Sequence, residues 1–337
     1  MILSSNIEIS KYDDDKYILH NGKKRYFVIN EELYQLVGVL KDANTLEDAY
    51  KKYVYQTGIA QTFDDFQDDI NVFLKGKEIL TSDDAEQERI RKRHKSVRVR
   101  ITLIPSKIAG IISQAFEPLF NQSGFFVIFT ISLIGTIIFL AISDKSVLEN
   151  SVSSRELLYV FILFVLSALL HELGHISACK KFGGKYGGVG IGLYLILPVF
   201  WADIHGIWML PRKERIIANL AGIYIQIIMS FLLIGIYLLS RHMYLLYGAY
   251  LISSAALFQL WPFIRLDGYW CVSDLTNTPK LTKTAMGELK LFFKVIVSQR
   301  RMDYLRSLNS ERIVLLGYSA SFFLIIIGLI FYLILSF

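Results

Sequence analysis

Two histidines, His171 and His175, flank a glutamate in the sequence His171-Glu172-Leu173-Gly174-His175. On an α-helix, residues i and i+4 lie about 40° apart around the axis and roughly 6 Å along it, so both imidazoles can hold one Zn²⁺. Glu172 then has the place of a general base in hydrolysis. Because a structural zinc usually has four protein ligands, this pattern predicts an open catalytic site with one Zn²⁺ per chain.

The two histidines lie deep in an apolar segment. His171 comes about 15 residues into the run Glu156–Cys179, which is roughly 22 Å along a helix axis. Ionisable groups at such a depth in a bilayer are costly and mark functional sites by default. The alternative is a polar cluster that only ties helices together, and the depth favours the catalytic interpretation.

Asp267 is the best candidate for a third ligand. It follows the apolar run Tyr244–Phe263, whose end lies at a depth similar to that of His171 in the predicted topology. Pro262 breaks the helix and Gly268 permits a sharp turn, so the carboxylate can reach the metal. An ordinary aspartate at a helix end fits the spacing equally well.

The composition places these residues in a membrane protein. The chain has 337 residues, is 53% hydrophobic and has a mean hydropathy of +0.41, which is too apolar for an ordinary soluble protein of this length. Its two cysteines cannot form a disulfide framework. Five apolar runs are each near or above the roughly 20 residues that a span requires. They are Gly124–Ile142, Glu156–Cys179, Ile216–Leu239, Tyr244–Phe263 and Ile313–Leu335.

The charge distribution predicts the orientation. Residues 1–85 carry 16 acidic and 10 basic side chains, and the basic stretch 89–107 follows them. Excess Lys and Arg beside apolar segments favours the cytosolic leaflet of a lipid bilayer, so we predict a multi-pass protein of a bacterial cell membrane with a cytosolic N-terminus. Residues 265–312 carry nine Lys and Arg, which places them inside as well. The short glycine-rich segment Gly187–Phe200 predicts a re-entrant hairpin or strand packed within the protein.

Residues 1–80 predict a small separate domain. Tyr17–His20 and Tyr26–Ile29 alternate around Asn21-Gly22, which predicts a hairpin. Asn30, Thr45 and Thr62 stand where caps of three short helices belong.

The predicted fold class is therefore mainly α. We expect a polytopic α-helical membrane protein with about five spans, a re-entrant segment and a small N-terminal α+β domain of winged-helix-like type. Its predicted divisions are 1–80, a juxtamembrane linker with an interfacial helix at 81–122, and the membrane domain at 123–337.

The motifs together resemble those of the M50, or site-2 protease-like, membrane zinc metallopeptidases. The resemblance covers roughly residues 120–337 and rests on His171–His175 followed by Leu266-Asp267-Gly268. Three further stretches are similar to the peptide zinc metalloprotease branch of that family: 190–203, 215–222 and 265–275. The resemblance implies that His171, His175 and Asp267 bind Zn²⁺, that Glu172 is catalytic, and that a peptide bond at the bilayer is hydrolysed.

Four other residues are candidates for binding the substrate. Many members of the family have an asparagine shortly before the Leu-Asp-Gly motif that is thought to hold the substrate backbone, whereas this chain has Gln259 in that region. Asp203, Gly190 and Gly192 belong to the segment after the active-site helix. For Asp203 an ordinary polar loop remains the alternative.

The N-terminal domain resembles the PqqD-like fold, which binds leader segments of ribosomally made peptides. The similarity rests on Tyr17–His20, Tyr26–Asn30 and the helix predicted from Thr62 to Leu80. It implies that an extended precursor-peptide leader adds a strand to the sheet edge. A DNA-binding winged helix and a domain without a ligand are the alternatives. The net charge of −6 over residues 1–85 argues against nucleic acid.

These observations predict a zinc endopeptidase that cleaves a small peptide precursor or leader in peptide maturation, export or immunity. A regulatory protease that cleaves a membrane-anchored factor is the second hypothesis. The third is a non-catalytic, peptide-binding membrane subunit of an exporter or immunity system. The sequence contains no GxxxxGK[ST] motif, so pumping would require exporter subunits as partners.

Overall fold

The structure is a computed structural model, and it describes residues 7–13, 16–20, 26–58, 62–74, 97–143, 152–194, 197–276, 278, 281–296 and 308–335. The chain forms two compact units. The first contains Met1–Pro118 and Ile176–Glu214, and the second contains Leu119–His175 and Arg215–Phe337. The predicted divisions at residues 80 and 122 are sequence-based and stay predictions.

A three-stranded antiparallel sheet opens the first unit. Its strands are β1 (Glu8–Asp13), β2 (Lys16–His20) and β3 (Tyr26–Asn30), in the order β1-β2-β3. Register pairs such as Leu19 with Phe27 confirm the predicted hairpin between β2 and β3, whose turn at Asn21-Gly22 lies outside the described residues. Strand β1 was not predicted from the sequence.

Three helices follow the sheet: α1 (Glu31–Asp42), α2 (Leu46–Thr57) and α3 (Phe63–Leu74). All three predicted caps are present. The Asn30 carboxamide accepts a hydrogen bond from the Leu33 N–H, and the hydroxyls of Thr45 and Thr62 each accept one from the N–H three residues on. Sheet and helices share one apolar core, which includes Leu19, Ile29, Val37, Tyr53, Phe66 and Ile70.

A second three-stranded sheet also belongs to the first unit. Strand β4 (Val97–Ile104) pairs with β5 (Val189–Tyr194), which pairs with β6 (Leu197–Ala202), so β5 is central. The predicted hairpin at Gly187–Phe200 therefore exists. The last residues of the basic stretch, which we predicted as a linker, form the strand β4 instead, and residues 89–96 lie outside the described residues. A helix is present where the interfacial helix is predicted, α4 (Ser106–Ser113), continued by a 3₁₀ helix at Gln114–Phe120. Its place at the bilayer surface stays a prediction.

Long helices dominate the second unit. Among the residues that the structure describes, three helices are long and apolar enough to cross a bilayer: α5 (Gln122–Ile142), α6 (Ser154–Lys181, which continues into the first unit) and α7 (Arg212–Ser240). They coincide with the first three predicted spans. Two shorter apolar helices occur at α8 (Met243–Gln259) and within α11 (Ser310–Leu335), where the described apolar part is Arg312–Ile325. Between them lie α9 (Asp267–Leu275) and α10 (Leu281–Ile296).

Helix α7 is the most enclosed of the three long helices. In the most apolar 18-residue stretch of α7, 50% of the residues are buried, against 17% in that of α5 and 28% in that of α6. Ile223 and Ile227 pack with Ala256 of α8 and Phe129 of α5, and Leu233 to Tyr237 pack with Leu245 to Ile252. A helix that is enclosed by its neighbours can carry polar side chains that a lipid-facing helix cannot.

Candidate metal centre

Three predicted residues come together in the second unit. His171 Nε2 lies 3.1 Å from His175 Nε2, and Asp267 Oδ2 lies 3.1 Å from the first and 3.3 Å from the second. Both imidazoles are buried and the carboxylate is largely so. In the described residues, these three form the one group of His, Cys, Asp and Glu side chains with the spacing of a metal site.

The spacing suits zinc. With bonds of about 2.0–2.2 Å, the ligand atoms of a tetrahedral zinc site lie about 3.3–3.6 Å apart. Of the three observed distances, 3.3 Å lies at the short end of that range and the two of 3.1 Å are about 0.2 Å shorter than it. Three protein ligands are also the number that a catalytic zinc has, with a fourth position for water or substrate.

The hydrogen bonds that the two rings make at Nδ1 determine whether each Nε2 atom carries a proton or a lone pair. His175 Nδ1 lies 2.7 Å from the Ala218 carbonyl oxygen, which can only accept, so Nδ1 carries the proton. His171 Nδ1 lies 3.2 Å from Gln226 Oε1, which is also an acceptor. In the neutral rings, both Nε2 atoms then carry lone pairs.

Three lone-pair donors therefore converge on one point. Asp267 Oδ2 is buried, and among the described residues its contacts with the imidazoles do not have hydrogen-bond geometry. An ionised carboxylate beside two imidazole lone pairs is the donor set that a divalent cation stabilises.

Glu172 lies between the two histidines in sequence and is partly buried. Its position on α6 is that of the general base in an HExxH site. The leucine and glycine that complete the motif, Leu173 and Gly174, are buried, and Gly174 lies against the Ala221 carbonyl of α7. Small residues at such a contact let two helices approach closely.

One face of α7 supports the site. Arg215, Ala218, Asn219, Gly222 and Gln226 recur at helical spacing and fall within an arc of about 100°. A Cβ atom at Gly222 would collide with the imidazole of His171, so only glycine fits there. Sequence reasoning did not assign a role to Gln226 or Asn219, although polar side chains in an apolar span are the signal that points to them.

A buried ion pair connects α7 to the helix that begins with Asp267. Arg215 Nε donates to Asp274 Oδ1 at 2.6 Å, and Asn219 Nδ2 donates to Asp274 Oδ2 at 2.7 Å. The Arg215 side chain is 0% exposed and that of Asp274 is 5% exposed. Because Asp274 lies seven residues after Asp267, both project from one side of α9, so this pair helps to fix the helix that carries the candidate third ligand.

The predicted substrate residues are divided between the two units. Gln259 lies in the second unit, where its Nε2 donates to Gln226 Oε1 at 3.2 Å. Asp203, Gly190 and Gly192 lie in the first unit. Asp203 pairs with His205 Nδ1 at 2.8 Å, and Gly190 packs against the Ile101 backbone and the Trp201 ring, where a side chain would not fit. Both edges of β5 are occupied by pairing with β4 and β6.

Removing a candidate ligand should remove the metal. We expect the purified chain to hold about one zinc per molecule, and His175→Ala or Asp267→Ala to lower zinc affinity by at least about 100-fold. The measurement is metal content by mass spectrometry after dialysis against a chelator. His242→Ala, at an exposed histidine, is the control and should keep its zinc. Equal zinc content in the unaltered chain and all three variants would contradict the candidate metal site.

Breaking the buried ion pair should destabilise the chain. Arg215→Met removes the guanidinium from the buried Asp274 carboxylate, which we expect to cost about 3–5 kcal/mol of unfolding free energy, whereas Arg215→Met with Asp274→Leu should restore most of that stability. Thermal unfolding in detergent measures the effect. Arg312→Met is the control, because the Arg312–Glu288 pair is more exposed and should contribute under about 1 kcal/mol. If Arg215→Met and Arg312→Met lowered the unfolding temperature equally, the Arg215–Asp274 pair would have no special role in supporting the site.

Comparison with known proteins gives one relationship that bears on this geometry. Over 129 residues the chain is 32% identical to the "Putative peptide zinc metalloprotease protein YydH" of Bacillus subtilis (strain 168). The alignment covers 36% of this chain and 51% of that protein, so the chain spans about half the length of this relative. No family model and no solved structure matches the chain. The comparison supports a relationship to zinc metallopeptidases.

Proposed function

We propose that this chain is a zinc-dependent endopeptidase of a bacterial cell membrane. The observation that carries the proposal is the convergence of two buried imidazole Nε2 atoms and one carboxylate oxygen within 3.3 Å of one another. The relative named as a peptide zinc metalloprotease and the three long apolar helices support it. The ligands would be His171, His175 and Asp267.

The reaction would be hydrolysis of a peptide bond. A bound zinc ion supplies a Lewis acid that polarises water and the scissile carbonyl. Glu172 accepts a proton from the attacking water and delivers it to the amine nitrogen as the C–N bond breaks. The Gln226 and Ala218 acceptors hold the two rings in the tautomer that leaves each Nε2 unprotonated. The second N–H and the oxygen of the Gln259 carboxamide are suited to a substrate main chain, and Asp203, Gly190 and Gly192 remain proposed contacts.

The proposed substrate is a small peptide precursor or leader that the N-terminal domain presents. Within the first unit, β1 contacts the 3₁₀ helix His205–Met209, and Glu8 on β1 pairs with Lys185. Strand β3 is therefore the edge of this sheet that is better placed to receive an extended peptide. The carboxylates of Glu32 and Asp69 line a pocket with Leu33 and Leu36, which favours a segment with basic and apolar side chains.

Two other functions are consistent with the same architecture. A regulatory protease that cleaves a membrane-anchored factor would use the same metal and the same glutamate. A non-catalytic peptide-binding subunit of an exporter or immunity system would need neither. The buried cluster of ligand atoms favours an enzyme over a binding subunit, because three convergent donors cost stability without a cation.

Replacing the glutamate tests the chemistry. We expect Glu172→Gln to keep zinc but to lose peptide cleavage by about 10²–10⁴-fold, because the amide cannot accept the proton. The measurement is fluorescence release from a pool of quenched peptides of random sequence, with zinc content measured in parallel. Glu47→Gln, at an exposed glutamate of α2, should retain full activity. Equal cleavage by Glu172→Gln and the unaltered chain, or none by the zinc-loaded unaltered chain, would overturn the enzymatic proposal.

Five spans with a cytosolic N-terminus are also part of the proposal. Both native cysteines are buried, so single cysteines introduced elsewhere can report the topology. Ser146→Cys and Arg241→Cys should react with a membrane-impermeant maleimide in intact cells. Lys213→Cys and Lys283→Cys should react only after permeabilisation. Labelling of Lys283→Cys in intact cells would reverse the assigned orientation of that segment.

A further inference from the structure

We infer that Gln226 is a positioning residue that sets the tautomer of His171, and that Gln259 holds Gln226 in the orientation this requires. The inference rests on the proposed zinc site but assigns new roles to two residues that do not bind the metal. It is carried by a chain of three side chains, two of them buried and the third, Gln259, partly buried, that runs from α6 through α7 to α8.

The chain of contacts converges on one atom. Gln226 is 1% exposed and lies one helical turn after Gly222, against which the His171 ring packs. Its Oε1 lies 3.2 Å from His171 Nδ1 and accepts a hydrogen bond from Gln259 Nε2, also at 3.2 Å. Two donors thus meet one carbonyl oxygen, which has two lone pairs to accept them.

The orientation of the Gln226 carboxamide decides whether His171 can bind a cation. With Oε1 towards the ring, Nδ1 carries the proton and Nε2 presents a lone pair to the site. If the carboxamide turned over, its N–H would donate to Nδ1, and the proton of the neutral ring would move to Nε2. That nitrogen would then be unable to bind the metal.

Gln259 opposes this reversal. While the Gln259 carboxamide keeps its own orientation, turning the Gln226 carboxamide over would place an N–H against the N–H of Gln259, so one hydrogen bond would be lost and two donors would face each other. Losing a hydrogen bond and leaving a buried donor unsatisfied are together unfavourable enough to favour one orientation by at least about tenfold.

The two histidines obtain their tautomers in different ways. His175 is bonded to a backbone carbonyl, Ala218, which can only accept and cannot be mutated away. His171 depends on a side-chain amide, which can present either an acceptor or a donor. The need for a second residue to fix the acceptor is therefore specific to His171.

The decisive experiment compares two substitutions of nearly equal size at one position. Gln226→Glu keeps an oxygen facing Nδ1 and cannot present an N–H when ionised, whereas Gln226→Met removes the acceptor and packs well in an apolar helix. We expect Gln226→Glu to bind zinc like the unaltered chain and Gln226→Met to bind it 10–100-fold more weakly. If Gln226 only filled space, Met would be tolerated at least as well as Glu.

Zinc affinity is measured by competition with a chromogenic chelator, and the visible spectrum of the Co²⁺-loaded chain reports the ligand geometry. Ser230→Ala is the matched control, since it removes a different buried polar group of α7, a hydroxyl that donates to the Ala249 carbonyl oxygen. Gln259→Met should lower zinc affinity less than Gln226→Met, and it provides an independent test should Gln226→Met fail to fold.

The outcomes separate this inference from the proposed function. If the unaltered chain binds no zinc, both fail. If it binds zinc and Gln226→Met binds equally well, or Gln226→Glu binds as weakly as Gln226→Met, the positioning role is wrong while the metal site stands. An unchanged Co²⁺ spectrum in both Gln226→Met and Gln259→Met would also overturn it.

Discussion

The structure depends on one electrostatic constraint, which is that three lone-pair donors meet in a buried place. Two imidazole Nε2 atoms and a carboxylate oxygen lie within 3.3 Å of one another, and such atoms repel unless a metal cation or a proton lies among them. The repulsion cannot be relieved by rotating the rings, because each Nδ1 is committed to an acceptor on α7. The same hydrogen bonds that make the arrangement costly without a cation make it preorganised with one.

Helix α7 imposes that arrangement through a single face. Gly222 gives room for the His171 ring, Gln226 and Ala218 hold the two imidazoles, and Arg215 with Asn219 holds the helix that begins at Asp267. Each of these groups would be expensive against lipid. They are tolerated because α7 is enclosed by α5, α6 and α8, so its polar stripe meets only protein. The enclosure of α7 by its neighbours is therefore what allows its polar face to position the candidate metal ligands.

Local signals were enough to single out His171 and His175 as candidate ligands, whereas Asp267 also needed the family resemblance, and the residues that support the three were not predicted. The spacing of His171 and His175 is a property of one helix, and the three N-caps are properties of three or four residues each, so the sequence predicts them. Strand β4 pairs with β5 across about 90 residues, and no local pattern specifies that partner. The roles of Gln226 and of the Arg215–Asp274 pair were missed for the same reason. Gln226 contacts His171, which is 55 residues away in sequence, and Arg215 contacts Asp274, which is 59 residues away.

The choice of an amide at position 226 follows from the cost of burying charge. A carboxylate there would accept from His171 as well as Gln226 does, but in the metal-free chain it would be a second ionised acid in an apolar setting beside Asp267. A neutral carboxamide avoids that cost, and its disadvantage is that it can turn over. Gln259 removes the disadvantage with a second neutral group. The pair thus gives His171 the directional acceptor that a carboxylate would provide, without adding a charge that only a bound cation could neutralise.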